Sequence, residues 1–333
     1  MPWFDLPLAE LRTYRTATEE PPRLDEWWRG QLDQARSLAE APAVTRYEPA
    51  GYGPAEVYDV TFSGARGDRI RAWYIRPPAS RADGPAPVVV KFIGYGGGRG
   101  RPADHMLLPA VGYPVFVMDS RGQGGRWTIG ATGDEPGEGP SYSAVMTRGL
   151  DSPEGYYFTR LFTDAVRAVE TAAELTGAGL ASGGGPGRSR IAVTGVSQGG
   201  GLALATAGLL GDAIAVCHAD VPFLCDIQRG ITTAPDMPYP EVAEFLAQQV
   251  DYEATALNTL RYVDCALLAR RITAECLLSV GLMDTICPPS TVFAAYNEIT
   301  AGKDIAVFSF GVHAVPPAHL ERQLRHLRTH LPA

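Results

Sequence analysis

The stretch 191–201, IAVTGVSQGGG, limits what this chain can fold into more than any other part of it. Its first four residues are a short apolar, β-branched run, the pattern of a buried strand. Gly195-Val196-Ser197-Gln198-Gly199 then fits G-x-S-x-G, and from Gly201 the text turns helical, with Leu202, Ala203, Leu204 and Ala205. Strand, glycine-flanked serine and helix in that order predict a nucleophile elbow, a sharp turn that lifts a serine above the edge of a sheet. A side chain at Gly195 or Gly199 would clash where strand and helix pack closely. The helix start would aim backbone N–H groups at any anion forming beside Ser197.

The 333-residue chain is 45% hydrophobic and 20% charged, enough apolar mass for a large core. Its net charge of −8 and the lack of a basic cluster exclude nucleic acid and anionic membrane as expected partners. The five cysteines include no C-x-x-C pair, and several sit in apolar text, so free buried thiols are expected. The opening MPWFDLPLAELRTYR carries Asp5 and Glu10 and does not read as a signal peptide. The run 201–217 contains Asp212 and falls short of the ~20 residues of a membrane span. A cytoplasmic protein is expected.

Along the chain, 25–39 reads as an amphipathic helix whose Trp27 and Trp28 pack it onto the body. The runs 56–62 and 69–75 form a hairpin around a turn at 64–68. Strands are expected at 88–93, 114–118, 191–194, 214–217, 277–280 and 305–308, and helices at 156–174 and 317–330. The connections 77–87 and 177–187 are rich in Pro or Gly, and 124–150 reads as a long surface loop. The segment 226–263 shows helical text and no strand, which predicts a cap over the site. Strand–helix alternation of this kind predicts an α/β fold: an α/β-hydrolase with a mostly parallel sheet flanked by helices. It would form one domain over 1–333, with an N-terminal extension (1–55) of helix leading into a hairpin and a helical cap insertion (226–263).

A serine hydroxyl needs a base, and the base an orienting acid. In this fold they follow in the order serine, acid, histidine. Asp284 lies in GLMDTICPP after the strand 277–280, and His313 in FGVHAVPP after the strand 305–308. Both therefore fall on the sheet edge that carries Ser197. The competing reading of Asp284 is a cap for a helix starting near Pro288. Among the other histidines, His218 precedes the acid, and His319, His326 and His330 sit in polar helical text and are expected in solvent. The oxyanion of an acyl-transfer intermediate needs N–H donors, expected from Gln198 and from Tyr95 in the glycine-rich loop 94–98. That loop lacks G-K-[ST] and is not a P-loop. Tyr95, Pro222 and Phe223 are expected to wall the acyl pocket.

RGQG (121–124), GVSQGGG (195–201), DVPFL (220–224) and SVGLMDTICPPSTVFAAYN (279–297) together resemble the acetyl xylan esterase/cephalosporin C deacetylase family, carbohydrate esterase family seven. The opening FDLPLAELRTYR and the segment YDVTFSGARGDRIRAW resemble it too. The resemblance implies a catalytic triad of Ser197, Asp284 and His313, an oxyanion hole from the Tyr95 and Gln198 amides, and small acetylated substrates such as sugars, xylo-oligosaccharides and cephalosporin C. It implies neither metal nor cofactor, and it implies a homo-oligomer, commonly a hexamer. Arg121 and Gln123 of RGQG would brace the loops around the elbow. Ala314 stands where the family has Glu, and Ile93 where many members have His. The alternatives are a hydrolase of the acyl-peptide or dipeptidyl type and a catalytically silent scaffold. The first lacks a propeller-like second domain here, and an intact Ser, Asp and His opposes the second.

Overall fold

A computed structural model describes residues 4–48, 51–77, 86–135, 137–142, 144–180 and 189–332. Most of the connections 77–87 and 177–187 falls outside these residues. The strands are β1 (Ala43–Arg46), β2 (Glu56–Ser63), β3 (Arg69–Arg76), β4 (Val88–Phe92), β5 (Val115–Met118), β6 (Ile191–Val196), β7 (Val216–Asp220), β8 (Glu275–Gly281) and β9 (Lys303–Phe308). They form one nine-stranded sheet in the order β1-β2-β3-β5-β4-β6-β7-β8-β9. β1 to β3 run antiparallel and β3 joins β5 antiparallel; from β5 to β9 every neighbouring pair is parallel. This is the α/β-hydrolase type of fold.

The parallel strands read as unbroken apolar runs because both their faces are covered. Val88, Val90 and Phe92 of β4 join one core with Phe158, Leu161 and Phe162 of the helix Tyr157–Thr176 and Leu202 and Ala203 of the helix Gln198–Leu210. Val89, Ala192 and Val216 face the other way, onto Leu327 and Leu331 at the C-terminal end of the chain. There Tyr113 donates from its hydroxyl to the Leu331 carbonyl at 2.8 Å.

The sheet order reverses at β4. The chain leaves β4 for β5 on one side and later places β6 on the other, which opens a crevice beyond the carboxyl ends of β4 and β6. Between β7 and β8 the described chain is helical, with Ile227–Thr233, Pro240–Gln248 and Glu253–Leu260 its main helices. The N-terminal segment is stitched to this insertion: Tyr14 and Thr16 donate to the two oxygens of Asp226, both at 2.8 Å. Trp28 is buried and donates to the Tyr262 carbonyl at 2.9 Å, so the tryptophan helix does pack onto the body.

Four expectations change. A further strand, β1, precedes the hairpin; its side chains are exposed, so it has no alternating pattern to read. The strand expected at 214–217 lies at Val216–Asp220. The stretch 124–150 is not a plain surface loop, because Thr132, Asp134, Val145 and Met146 are buried. His319 is buried rather than solvated, with Nε2 2.9 Å from Asp220 Oδ1 but out of line for a hydrogen bond. His218 is buried as well, its Nε2 3.1 Å from His326 Nδ1.

Candidate active site

Ser197 stands between β6 and the helix Gln198–Leu210 with φ 59° and ψ −120°, a conformation that L-residues rarely adopt. Its N–H donates to the Asp220 carbonyl at 2.9 Å, and its carbonyl accepts from Gly201 and Phe223, each at 3.0 Å. The neighbouring glycines are required by contact. A Cβ on Gly195 would lie 2.3 Å from the Gly199 carbonyl carbon, and one on Gly199 would lie 2.4 Å from the Phe92 carbonyl oxygen.

Asp284 and His313 come from the turns after β8 and β9. His313 Nδ1 lies 2.8 Å from Asp284 Oδ2. Asp284 is fully buried, and its other oxygen accepts the Ile286 and Cys287 amides, both at 2.9 Å. The carboxylate therefore shapes its own loop and orients the imidazole. It does not cap the following helix, which is Pro289–Glu298 with Pro288 ahead of it. A carboxylate at Nδ1 selects the tautomer that keeps the proton there and leaves the Nε2 lone pair free.

The loop after β4 runs against the elbow. A Cβ on Gly94 would lie 3.4 Å from the Val196 carbonyl oxygen and 3.8 Å from Ser197 Cβ. Among the described residues, neither the Tyr95 nor the Gln198 amide has a backbone acceptor. Gln123 ties the two sides together. Its Oε1 accepts from the Gly96 amide at 2.6 Å, and its Nε2 donates to Gln198 Oε1 at 2.9 Å and to the Tyr157 hydroxyl at 2.8 Å. Gln198 Nε2 in turn donates to the Ile93 carbonyl at 3.1 Å. Arg121 is wholly buried and pairs through Nε and Nη2 with both oxygens of Asp164, at 2.6 and 2.8 Å, and through Nη1 with Asp68 at 2.8 Å. RGQG is thus a brace: its arginine anchors the loop to the helix behind, and its glutamine links the glycine-rich loop to the elbow.

Phe223 is buried between Tyr95 and Tyr239, with ring centroids 6.1 and 4.4 Å away. Pro222 is buried under the start of the elbow helix, where a Cβ on Gly200 would lie 3.1 Å from its Cα. Beside Tyr95 opens a cavity of about 290 Å³ lined by Gly96, Arg126, Tyr142, Glu241 and Glu244. Trp127, 57% exposed, covers Gly94 and Gly97 at the rim and donates to the Tyr95 carbonyl at 2.9 Å.

Three neighbours of the site escape sequence reasoning. Trp127 and Glu241 lie in stretches with no local signal. Cys287 is buried with its thiol facing the Ser197 hydroxyl; burial pushes that thiol up, the Asp284 charge adds to the rise, and Ser197 works against it. Its place three residues after Asp284, in GLMDTICPP, is the one available hint.

Residues 1–331 match the family described as acetyl xylan esterase (AXE1). The chain belongs to the acetyl xylan esterase family. It is therefore a hydrolytic enzyme of that family. The acetyl xylan esterase from Paenibacillus sp. R4 is 31% identical with a TM-score of 0.86, covering 98% of this chain and 100% of that one. Acetyl xylan esterase 1 from Thermoanaerobacterium sp. JW/SL YS485 is 33% identical with a TM-score of 0.83, covering 97% and 98%. Acetyl esterase Axe7A of Xylanibacter ruminicola is 26% identical over 297 residues, which are 89% of this chain and 64% of that protein's length. No helix among the described residues is long and apolar enough to cross a membrane.

Proposed function

We propose that this family member is a serine esterase that removes acetyl groups from small acetylated alcohols, with acetylated sugars, xylo-oligosaccharides and cephalosporin C as the substrate classes. The observation that carries the reading is the 2.8 Å pairing of His313 Nδ1 with buried Asp284, set at the same sheet edge as a serine on a strained elbow. Ser197 Oγ attacks the acetyl carbonyl carbon while His313 Nε2 takes its proton. The carbonyl oxygen becomes an anion held by the Tyr95 and Gln198 N–H groups. The tetrahedral intermediate collapses as the C–O bond to the alcohol breaks, and His313 returns the proton to the leaving oxygen. Water, deprotonated by His313, then attacks the acetyl-serine and releases acetate and free Ser197. Asp284 holds the imidazole and stabilises its cation throughout. Tyr95, Pro222 and Phe223 wall the space for the acyl methyl.

The test is hydrolysis of p-nitrophenyl acetate beside an aminoacyl anilide, followed by a panel of acetylated sugars and cephalosporin C. Cleavage of the acetyl esters alone is expected; cleavage of the anilide alone would reject the reading in favour of a peptidase, and turnover of neither would point to a silent scaffold. The reading includes a cytoplasmic homo-oligomer, for which a monomer mass by light scattering would be contrary.

A further inference from the structure

Tyr95 carries one of the two N–H groups assigned to the oxyanion, and its side chain is held by a residue far away in the sequence. The phenol oxygen lies 2.8 Å from each oxygen of Glu241 and accepts the Val145 amide at 2.8 Å. Glu241 also accepts the Met146 amide at 3.2 Å. It sits in the first turn of the helix Pro240–Gln248, within the insertion between β7 and β8.

The protons in this cluster can be placed. An amide N–H only donates, so Val145 occupies an acceptor site on the phenol oxygen and the single phenol proton points to Glu241. The Met146 N–H points to Glu241 as well. With donors arriving from both neighbours, Glu241 accepts through its oxygens as a carboxylate. Burial raises the pKa of both groups, the Tyr95 phenol strongly and Glu241 against the opposing pull of the Tyr95 bond. The phenol thus stays protonated. The Tyr95 carbonyl is meanwhile held by Trp127, and the next amide, Gly96, by Gln123. The peptide that presents the Tyr95 N–H is itself held at its carbonyl, where Gly94 accepts the Gly97 amide at 3.1 Å, and Tyr95 is fixed further by its side chain and by the peptide that follows it.

Resting on the esterase reading, we infer that Glu241 is a positioning residue for the reaction: from the helical insertion it anchors the Tyr95 phenol and so sets the direction of the Tyr95 N–H toward the oxyanion. Seating the insertion and completing the oxyanion hole become one event. An interaction of this kind acts on the transition state and not on the ground-state ester, so it shows in kcat rather than KM.

The test uses Glu241→Gln, which keeps the shape but puts an N–H₂ where only acceptors fit, and Tyr95→Phe, which removes the phenol. Active enzyme is counted with a p-nitrophenyl phosphonate that labels Ser197. Each variant is expected to lower kcat for p-nitrophenyl acetate by about 10- to 100-fold, less than the 10²–10³ that outright loss of an oxyanion donor costs. KM for the acetate ester should stay within about two-fold, because both variants keep the aromatic ring at position 95 that walls the acyl space. The inhibition constant of a trifluoromethyl ketone, whose adduct places an anion in the hole, should rise by the factor that kcat falls. The double variant should be no slower than the slower single one. Unchanged kcat, a rise in KM alone, or additive losses would each overturn the inference. If Glu241→Gln does not fold, Tyr95→Phe alone decides on the same readouts. Wild-type protein that the phosphonate does not label would instead count against the esterase reading itself.

Discussion

At the scale of single residues, Ser197 carries a strained backbone at the position that the esterase reading makes the nucleophile. Its φ of 59° is imposed by the glycine contacts on either side and by its bonds to Asp220, Gly201 and Phe223. Such a backbone costs about 1–3 kcal/mol in a residue with a Cβ, while glycine there would lose about 0.5–1 kcal/mol through its freer unfolded chain. Ser197→Gly is therefore expected to be inactive yet more stable than the wild type by about 1 kcal/mol in urea unfolding. A loss of stability would mean that the elbow is unstrained. Ser197→Ala should lose about 10⁴-fold or more in kcat with its melting temperature held; near-normal turnover would remove the serine from the mechanism. Asp284→Asn should fall by a similar ~10⁴-fold, because the amide favours the wrong imidazole tautomer.

Among the elements, two joints set how firmly the site is mounted. One is the buried Arg121–Asp164 pair, which fastens the loop after β5 to the helix Tyr157–Thr176; Asp164 also accepts the Ala65 amide at 2.8 Å. Asp164→Ala would leave buried Arg121 with Asp68 and, at 3.6 Å, Asp134, but would strip its two bonds to Asp164 and the acceptor of the Ala65 amide, so it should cost about 3 kcal/mol in denaturant unfolding. A change under about 1 kcal/mol would show that Asp68 and Asp134 are enough to hold Arg121. The other joint is the C-terminal helix Pro317–His330 on β7, where His218 meets His326. Burial, with the charges of His326, His319 and His330 beside it, pushes the His218 pKa down to about 3, and burial with Lys91 pushes His105 down to about 4. Both stay neutral in the fold at pH values where the unfolded chain, with histidine near 6.5, takes up protons. The unfolded state binds more protons in that window, so stability should fall as pH drops from about 6.5 toward those folded values. Melting temperatures between pH 7.5 and 4.5 should show this slope, and His218→Gln should flatten it; a parallel slope in the variant would assign the effect elsewhere.

For the whole molecule, packing around the site sets what it admits. On the esterase reading Tyr95, Pro222 and Phe223 wall the acyl space; Phe223 and Pro222 are buried behind the elbow and Tyr95 is held at its phenol, so such a wall would have little room to yield. A methylene that fits would gain about 0.8 kcal/mol, and one that clashes loses binding instead. On the esterase reading, kcat/KM for p-nitrophenyl esters should fall steeply from acetate to butyrate and be negligible at octanoate. Level or rising values would mean an open, lipase-like pocket and would leave the triad standing. All five cysteines are unpaired and buried.

What the sequence determined by itself is what local backbone geometry demands. G-x-S-x-G is legible because the residues whose side chains would collide are next to the serine. The order Ser197, Asp284, His313 is legible because each follows a strand in a parallel sheet, and alternation places such turns on one edge. Cys287 against Ser197, Glu241 on Tyr95, Gln123 between two loops and the burial of His319 were decided by the tertiary structure alone. Tyr95 and Glu241 are 146 residues apart, and no spacing rule connects a tyrosine after one strand to a carboxylate on a helix of a later insertion. The same holds for β1, whose exposed side chains carry no alternation and whose pairing with β2 comes from backbone hydrogen bonds that any side chain permits.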